Sequence, residues 1–471
     1  MVDAAVLVSE ADAVEFARGL TERAVVSCGN SFWMEKFKRK GTVLWADDID
    51  YKVFRNVRDF GAVGNGLTDD TKAIKRALLD GRRCGEKCHG STTKNAIIYF
   101  PPGIYRISST IPLPFGTQVI GDANKRPTIL ASQSFIGLGA LSTNEYTGNG
   151  FGIDGNDQQY YINTANFCRQ IRDLEIDISQ VKTEQGVVGL HYQVAQATSL
   201  QNIELIAVKE SNQIGIFAEN GSGGVISDVF FRDGAFGLYG GTQQFTAQRL
   251  KFDGYATGVQ IIWDWGWVWK SINMSNVDVG FRLLREGVKK RATNVSTAIL
   301  VAPPRREAGS ASTGIVLDNV VFEEAERAVA GINGATLLEA SPKVEYWVLG
   351  PVYSPAKEFS WGSNTTSRPH RCQAGLLDSD GAFFERAKPQ YGEQMLSEFV
   401  HLNGFGAKGD GRTHDTEDFQ HALWYSQGKV LFVDAGSYIL TKTVVVPLGT
   451  KLVGEAWSQL VASGSYFQNA K

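Results

Sequence analysis

The sequence predicts an all-β chain: a parallel β-helix, followed by the start of a second one. Two observations carry this. Between residues 165 and 330, short segments with a polar lead and an apolar–x–apolar core recur as RDLEID, QNIELI, SDVFF, QRLKF, KSINM and DNVVF, with first core residues Leu174, Ile203, Val229, Leu250, Ile272 and Val320. Their spacing is roughly 20–30 residues with one double step, the coil length of a parallel β-helix. Each is followed by a Gly-led apolar unit (GVVGLHY, GIFAE, GLYGG, GVQII, GFRLL), so two or three short strands fit in each turn. The second observation is a duplication. FGAVGNGLTDDT at Phe60–Thr71 returns as FGAKGDGRTHDT at Phe405–Thr416, and the strands of Tyr105–Gly121 return at Tyr438–Gly454. A β-sandwich would instead show turns about every 8–12 residues and no coil-length repeat.

The elements follow in order. Residues 1–30 form a tail, and MVDAAVLVSEADAVEFARGL has the spacing of a short amphipathic helix. Residues 31–352 form the first β-helix. It opens on a strand at Phe54–Val57 and a Gly/Asp turn, after which Thr68 or Asp69 N-caps a helix reaching about Leu79. A buried strand at Ala96–Phe100 and alternating strands to Ile120 precede the coil array. The loop CGEKCHGSTTKN lengthens this copy relative to the second, and Cys84 and Cys88 are close enough to bridge within it. Pro303–Thr313 reads as a loop, and residues 353–395, rich in Ser, Pro and Gly, as a linker. Residues 396–471 repeat the opening plan, with a helix over Thr413–Ser426 and strands over Lys429–Val433 and Ser437–Val453. The opening helix of each copy is expected to close one end of its solenoid and protect the sheet edges.

Composition narrows the function. A net charge of −3 and a pI near 6.1 give no reason to expect nucleic acid or an anionic membrane as partner. No run approaches about 18 apolar residues, so no transmembrane helix is expected. The N-terminus lacks the basic region of a secretory signal. Sequons at Asn220, Asn273, Asn294 and Asn364 are compatible with secretion, though chance alone would produce several in this length, and the bridgeable cysteine pair also suits an oxidising compartment. Neither the remaining cysteines (Cys28, Cys168, Cys372) nor the scattered histidines stand at ligand spacing, so no metal is expected. No phosphate loop or dinucleotide fingerprint occurs, so no cofactor is expected either.

In a solenoid, equivalent positions of successive coils line up on one outer face. HYQVAQATS (His191–Ser199), ENGSGG (Glu219–Gly224) and GGTQQ (Gly240–Gln244) each follow a Gly-led strand and should meet at one corner. That places Gln193, Gln196, Glu219, Asn220, Ser222, Gln243 and Gln244 in one polar patch, suited to hydrogen-bonding sugar hydroxyls or a water. The same side chains also suit structural ladders at turns. In WDWGWVWK, the alternate residues Trp263, Trp265, Trp267 and Trp269 share one face of a strand. They would form either a sugar-stacking flank or a packing surface, with Asp264 between them. A glycosidase needs paired carboxylates. Glu219 and Asp264 are candidates by location, whereas Asp69 and Asp70 are read as capping residues.

Taken together, VFRNVRDFGAVGNGLTDDT, IIYFPPGIYRISSTI, QATSLQNI, ENGSGG, GGTQQFT and WDWGW resemble the N-terminal half of glycoside hydrolase family 55, mostly fungal β-1,3-glucanases of the pectate-lyase-like superfamily. The resemblance covers about Ser31–Lys471. It implies two right-handed parallel β-helices side by side, with an exo-acting, inverting site in the groove between them and an extracellular monomer acting on β-1,3-glucan such as laminarin. It also implies a general-acid Glu in the second β-helix, beyond Lys471. On this match Gln196 and Ser222 hold the attacking water, and Gln193, Glu219, Gln243 and Trp263 line the groove. A chain without the acid is expected to be inactive or nearly so, since losing general-acid catalysis costs about 10²–10⁴ in rate. Two other functions compete: a non-catalytic β-glucan-binding protein, and a pectate-lyase-like enzyme. The second would need a Ca²⁺-binding Asp cluster beside a basic groove residue, which the sequence does not present.

Overall fold

The computed structural model describes residues 4–7, 32–44, 50–151, 157–283, 297–302, 314–322, 325–353, 359–363, 374–379 and 383–468. From Phe54 the chain winds into coils whose strands stack in parallel register, forming three sheets around one interior. Inward residues follow one another in columns. In the front sheet the column runs Ile98, Val119, Ile171, Leu200, Ile226, Ala247, Trp269. In the second sheet it runs Leu174, Ile203, Val229, Leu250, Ile272, the residues picked out by the sequence period. In the third it runs Leu141, Leu190, Ile216, Leu238, Val259, Phe281, Ile299, Val329. Nearly every member is fully buried, each aliphatic side chain stabilising the fold by about 1.5–3 kcal/mol. The period fails at Val320. Its strand, Gly314–Val320, pairs antiparallel with Val344–Tyr353 in a separate sheet and does not add a coil.

The bend between the front and second sheets is built by Asp173, Asn202, Asp228, Arg249 and Ser271, all left-handed with φ between 52° and 60°. Asp and Asn tolerate this conformation; Arg and Ser do so less readily. Their side chains support the bend. Asn202 Nδ2 donates to Asp173 Oδ1 at 2.7 Å, and Arg249 donates from Nε and Nη2 to the two oxygens of Asp228 at 2.9 Å each.

The duplicated motif has a physical job. Asp70 accepts from the backbone N–H groups of Val63 and Gly64 (2.7 and 3.0 Å), and Asp415 accepts from Lys408 and Gly409 (2.7 and 3.2 Å). Each Asp thus locks a left-handed glycine turn onto the helix that follows, Thr71–Leu79 or Thr416–Tyr425. A tyrosine ring, Tyr105 or Tyr438, lies against Gly64 or Gly409, where an added Cβ would come within 2.9 or 2.8 Å of it. The N-cap position is Asp70, one residue later than the sequence suggests, while Asp69 Oδ1 accepts from Thr71 N at 3.0 Å. Among the described residues the second unit has two three-stranded parallel sheets: Phe399–His401 with Val430–Val433 and Lys451–Gly454, and Asp410–His414 with Gly436–Leu440 and Ser458–Ala462.

The two units are sealed together. Phe32, Trp33 and Phe37 fill the seam between the outward residues Ile97, Tyr99 and Ile120 of the front sheet and Phe399, Val430 and Phe432 of the second unit. Trp33 stacks on Phe399 with centroids 4.4 Å apart. The expected linker is not a plain tether. It contains the strand Phe359–Ser363, antiparallel to Val344–Tyr353, and residues 383–392 strap across the front sheet. Glu385 meets Lys270 Nζ at 2.7 Å, Ser271 Oγ at 3.0 Å and Arg249 Nη1 at 3.3 Å, and Gln390 Oε1 accepts from Arg172 Nη1 at 2.8 Å. Hydrophobic periodicity could not reveal these polar attachments.

In the tail, Ala4–Leu7 is a strand parallel to Gly314–Leu317 and not the expected helix. The apolar run AAVL supplies a sheet edge with a partner, and this outweighs local helical spacing. The rest of the predicted helix, the loop 303–313, Cys28, Cys372, and the sequons at Asn294 and Asn364 lie outside the described residues. Cys84 and Cys88 form a disulfide.

Candidate functional site

The third sheet hands the chain to the front sheet through short corners at residues 192–198, 220–223, 242–244 and 264–267. Consecutive corners are tied by backbone hydrogen bonds: Ala195 N to Asn166 O (3.0 Å), Ser222 N to Val194 O (2.9 Å), Gln243 N to Gly221 O (3.1 Å) and Trp265 N to Gln243 O (2.6 Å). The three polar segments singled out in the sequence therefore stack at one corner. Gly221 makes the approach possible, because a Cβ there would lie 2.4 Å from Val194 O. Gly221→Ala is expected to force the two corners apart, lowering stability by about 1–3 kcal/mol, measurable by urea unfolding.

The predicted residues take different places along this corner. Gln196 and Gln244 are exposed, Asn220 and Gln243 are half-buried, and Gln193 and Ser222 are buried. Gln193 Oε1 accepts from Asn144 Nδ2, while its Nε2 has no protein partner, and Ser222 Oγ has none either. Buried polar atoms are nearly always paired, so this donor and this hydroxyl, in adjacent coils, are suited to a small polar guest such as a water or a sugar hydroxyl. Asn220 adopts a left-handed backbone (φ 48°) at the turn.

Glu219, the last residue of the strand that leads into the second corner, carries a carboxylate whose side chain is 13% exposed. Its Oε1 lies 2.8 Å from His191 Nε2 and accepts from the Tyr146 hydroxyl. His191 is fully buried; its Nδ1 is 3.0 Å from Ser142 Oγ, and its ring is stacked between Tyr146 and Phe217. Ser142, His191 and Glu219 thus form a chain of polar contacts, but Ser142 is fully buried and donates to Asn144 O, so it is not presented as a nucleophile. Tyr146, His191 and Asn144 were not singled out from sequence. His191 sat within a marked segment, whereas Tyr146 comes from a stretch with no periodic signal.

The tryptophan flank is corrected. The strand ends at Trp263 and a new one begins at Val268, with a corner between them in which Gly266 has φ +148°. The alternation therefore breaks. Trp267 and Trp269 turn into the solenoid interior, both 1% exposed and stacked at 4.9 Å. Trp265 stays outside at 54% exposure, and Trp263 is half-buried, its indole lying across Gly241. Asp264 is half-buried at the same corner. No cluster of three or more His, Cys, Asp or Glu suited to a metal occurs among the described residues.

Comparison with known proteins adds the following. The family model described as "Rhamnogalacturonase A/epimerase, pectate lyase-like" matches residues 54–282 and 399–471. The chain is 34% identical to the "Glucan 1,3-beta-glucosidase" of Cochliobolus carbonum, over 94% of this chain and 58% of that protein. It is 30% identical to the "Probable glucan endo-1,3-beta-glucosidase" of Arthroderma benhamiae, over 94% and 62% respectively. It is also 34% identical to the "Non-secreted LysM effector LysM19" of Penicillium expansum, over 93% and 36%. The chain thus spans between 36% and 62% of the length of these relatives.

Proposed function

Since this chain belongs to the rhamnogalacturonase A/epimerase, pectate lyase-like family, we propose that its stacked corner binds β-1,3-glucan and forms one wall of a glycoside hydrolase family 55 type active site. The observation that carries this is the corner itself. Two buried polar atoms without protein partners, Gln193 Nε2 and Ser222 Oγ, share one stack of corners with a held carboxylate, Glu219, and an exposed indole, Trp265. Relatives named "Glucan 1,3-beta-glucosidase" and "Probable glucan endo-1,3-beta-glucosidase" support the substrate class.

In this reading Ser222 and Gln193, with Gln196 at the rim, hold a water or a sugar hydroxyl. Gln243, Gln244 and Asn220 hydrogen-bond the ring hydroxyls, and Trp263 and Trp265 offer apolar faces. Asp264 lies on the same rim. The Cys84–Cys88 disulfide fits an oxidising, extracellular setting, and the substrate would be laminarin or cell-wall glucan. A second reading, binding without turnover, is favoured by the way both His191 and Tyr146 already engage Glu219.

Isothermal titration of the 471-residue chain with laminarin, with glucose release assayed in parallel, tests both. We expect saturable binding, weakened about tenfold or more by Trp265→Ala and by Ser222→Ala. Glucose release would establish hydrolysis. Binding without release would favour the second reading, and no binding would remove both.

A further inference from the structure

The corner residue Gln193 is held from two sides, and both holds lead to Tyr161. Its amide oxygen accepts from Asn144 Nδ2. Asn144 is buried, and its own orientation is fixed by backbone: Oδ1 accepts from Tyr161 N and Nδ2 donates to Tyr161 O, each at 2.9 Å. Nδ2 also reaches Gln159 Oε1 at 3.1 Å, in the strand Asp157–Gln159 that pairs antiparallel with Tyr146–Phe151. An amide pinned in this way cannot flip, so Gln193 turns its oxygen to Asn144 and presents Nε2, a donor, as its free end. The backbone of Gln193 is gripped separately. Thr143 Oγ1 donates to Gln193 O at 3.0 Å and accepts from Gln193 N at 2.9 Å. Asn166 Nδ2 donates to Gln193 O at 2.6 Å, and the buried Arg169 holds Asn166 through Nε to Oδ1 at 2.8 Å. The Arg169 guanidinium in turn lies 5.0 Å over the Tyr161 ring.

Tyr161 is tied on its far side to the disulfide loop. Its hydroxyl donates to Cys84 O at 2.8 Å, and its backbone bridges to His89. Its ring packs with Phe115 and Cys84. The loop carries backbone strain: Arg82, Lys87, His89 and Lys94 are all left-handed, with φ between 54° and 65°, a conformation that non-glycine residues disfavour. The Cys84–Cys88 bond closes this loop, and Cys88 is exposed to a reductant. The second unit has no such loop, and Leu448, the counterpart there of Phe115, is fully exposed. We propose that Tyr161 is a positioning residue, through which the disulfide loop holds the Gln193 amide in its ligand-facing orientation. A dithiol reductant transfers two electrons and two protons to the S–S bond, leaving two thiols and closing to its own disulfide. The loop then relaxes away from Tyr161, and Gln193 loses its fixed donor. The bearing of this on affinity rests on the glucan-binding reading above; the orientation of the amide does not.

Nuclear magnetic resonance of the isotope-labelled chain, with and without dithiothreitol, reads the amide directly. The Gln193 side-chain signal, assigned by its loss in Gln193→Leu, is expected to shift on reduction, while that of the exposed Gln244 stays in place. Laminarin affinity, by isothermal titration, is expected to fall about tenfold. Cys88→Ser should reproduce both effects and make the protein indifferent to dithiothreitol. Tyr161→Phe, which keeps the ring and cuts only the hydroxyl's bond to Cys84 O, should lower affinity about threefold. A Gln193 signal unmoved by reduction overturns the proposal. A shifted signal with unchanged laminarin affinity overturns its bearing on the ligand. Loss of far-UV circular dichroism on reduction would mean that the loop supports the whole fold, which overturns the positioning role as well. A shifted signal without laminarin binding in either state keeps that role and removes the glucan reading.

Discussion

Trp269→Ala is expected to lower the stability of the protein by on the order of 3–5 kcal/mol, the range for deleting a large buried aromatic. Trp269 stands in the inward column of the front sheet directly after Ala247, across which its indole has room, and it stacks on Trp267 and meets Phe281 edge-on at 5.1 Å. The alanine leaves a cavity that the adjoining strand Phe245–Trp263 cannot collapse into, because its backbone is held by parallel ladders on both sides. Trp265→Ala, four residues earlier, should leave stability within about 0.5 kcal/mol, as exposed substitutions do, and act on ligand binding alone. Urea unfolding monitored by far-UV circular dichroism distinguishes them. If the two variants unfold at the same midpoint, the inward placement of Trp269 is wrong. If Trp269→Ala is stable and loses glucan binding, the outer tryptophan flank expected from alternation is right after all.

That contrast shows where the sequence was readable. The coil array was legible because the inward columns demand aliphatic side chains at a fixed period, and Leu174, Ile203, Val229, Leu250 and Ile272 do fall in one column. The duplicated turn was legible because a buried Asp, a left-handed Gly and an underlying Tyr constrain one another, as Asp70, Gly64 and Tyr105 do. The corners were legible only as a set: the polar segments could be aligned, but which amide was buried could not be known. Gln193 and Gln196 differ by three residues in a tight turn, and only the hydrogen bond from Asn144 decides that Gln193 lies inside. The tryptophan flank misled because period-two reasoning assumes an unbroken strand, and nothing but Gly266 marks the corner. The strand pair at Tyr146 and the strap at Glu385 were not legible, since both are held by side-chain hydrogen bonds and ion pairs between residues far apart in sequence.

Asp173→Asn is expected to stabilise the protein at about pH 8 by up to roughly 3 kcal/mol, with the gain disappearing by about pH 4. Asp173 is fully buried at the head of the left-handed ladder, and burial pushes its carboxyl up to about 6 against the opposing pull of Arg172 and the hydrogen bond from Asn202. Arg172 Nε stands 3.9 Å from Oδ2, too far for a hydrogen bond, and that oxygen has no hydrogen-bond partner. The folded value lies above the unfolded one of about 3.9, so the native state disfavours the carboxylate. Above pH 6 the protein bears the cost of a buried charge. As pH falls from about 6 toward about 4 the native state takes up a proton before the unfolded chain does, and stability attributable to this group rises, opposite in sign to a salt-bridged carboxylate. Asparagine mimics the protonated acid. It keeps an acceptor for Asn202 Nδ2 and tolerates φ +60°. Urea unfolding of both proteins at pH 4, 6 and 8 reads the difference. A variant less stable than wild type at pH 8 would mean that attraction to Arg172 outweighs desolvation, and that the ladder under the strap is held together by that ion pair. The expected result implies the reverse: the left-handed bend needs a short side chain with an acceptor at this position, and the charge of Asp173 is a cost borne by the bend between the front and second sheets.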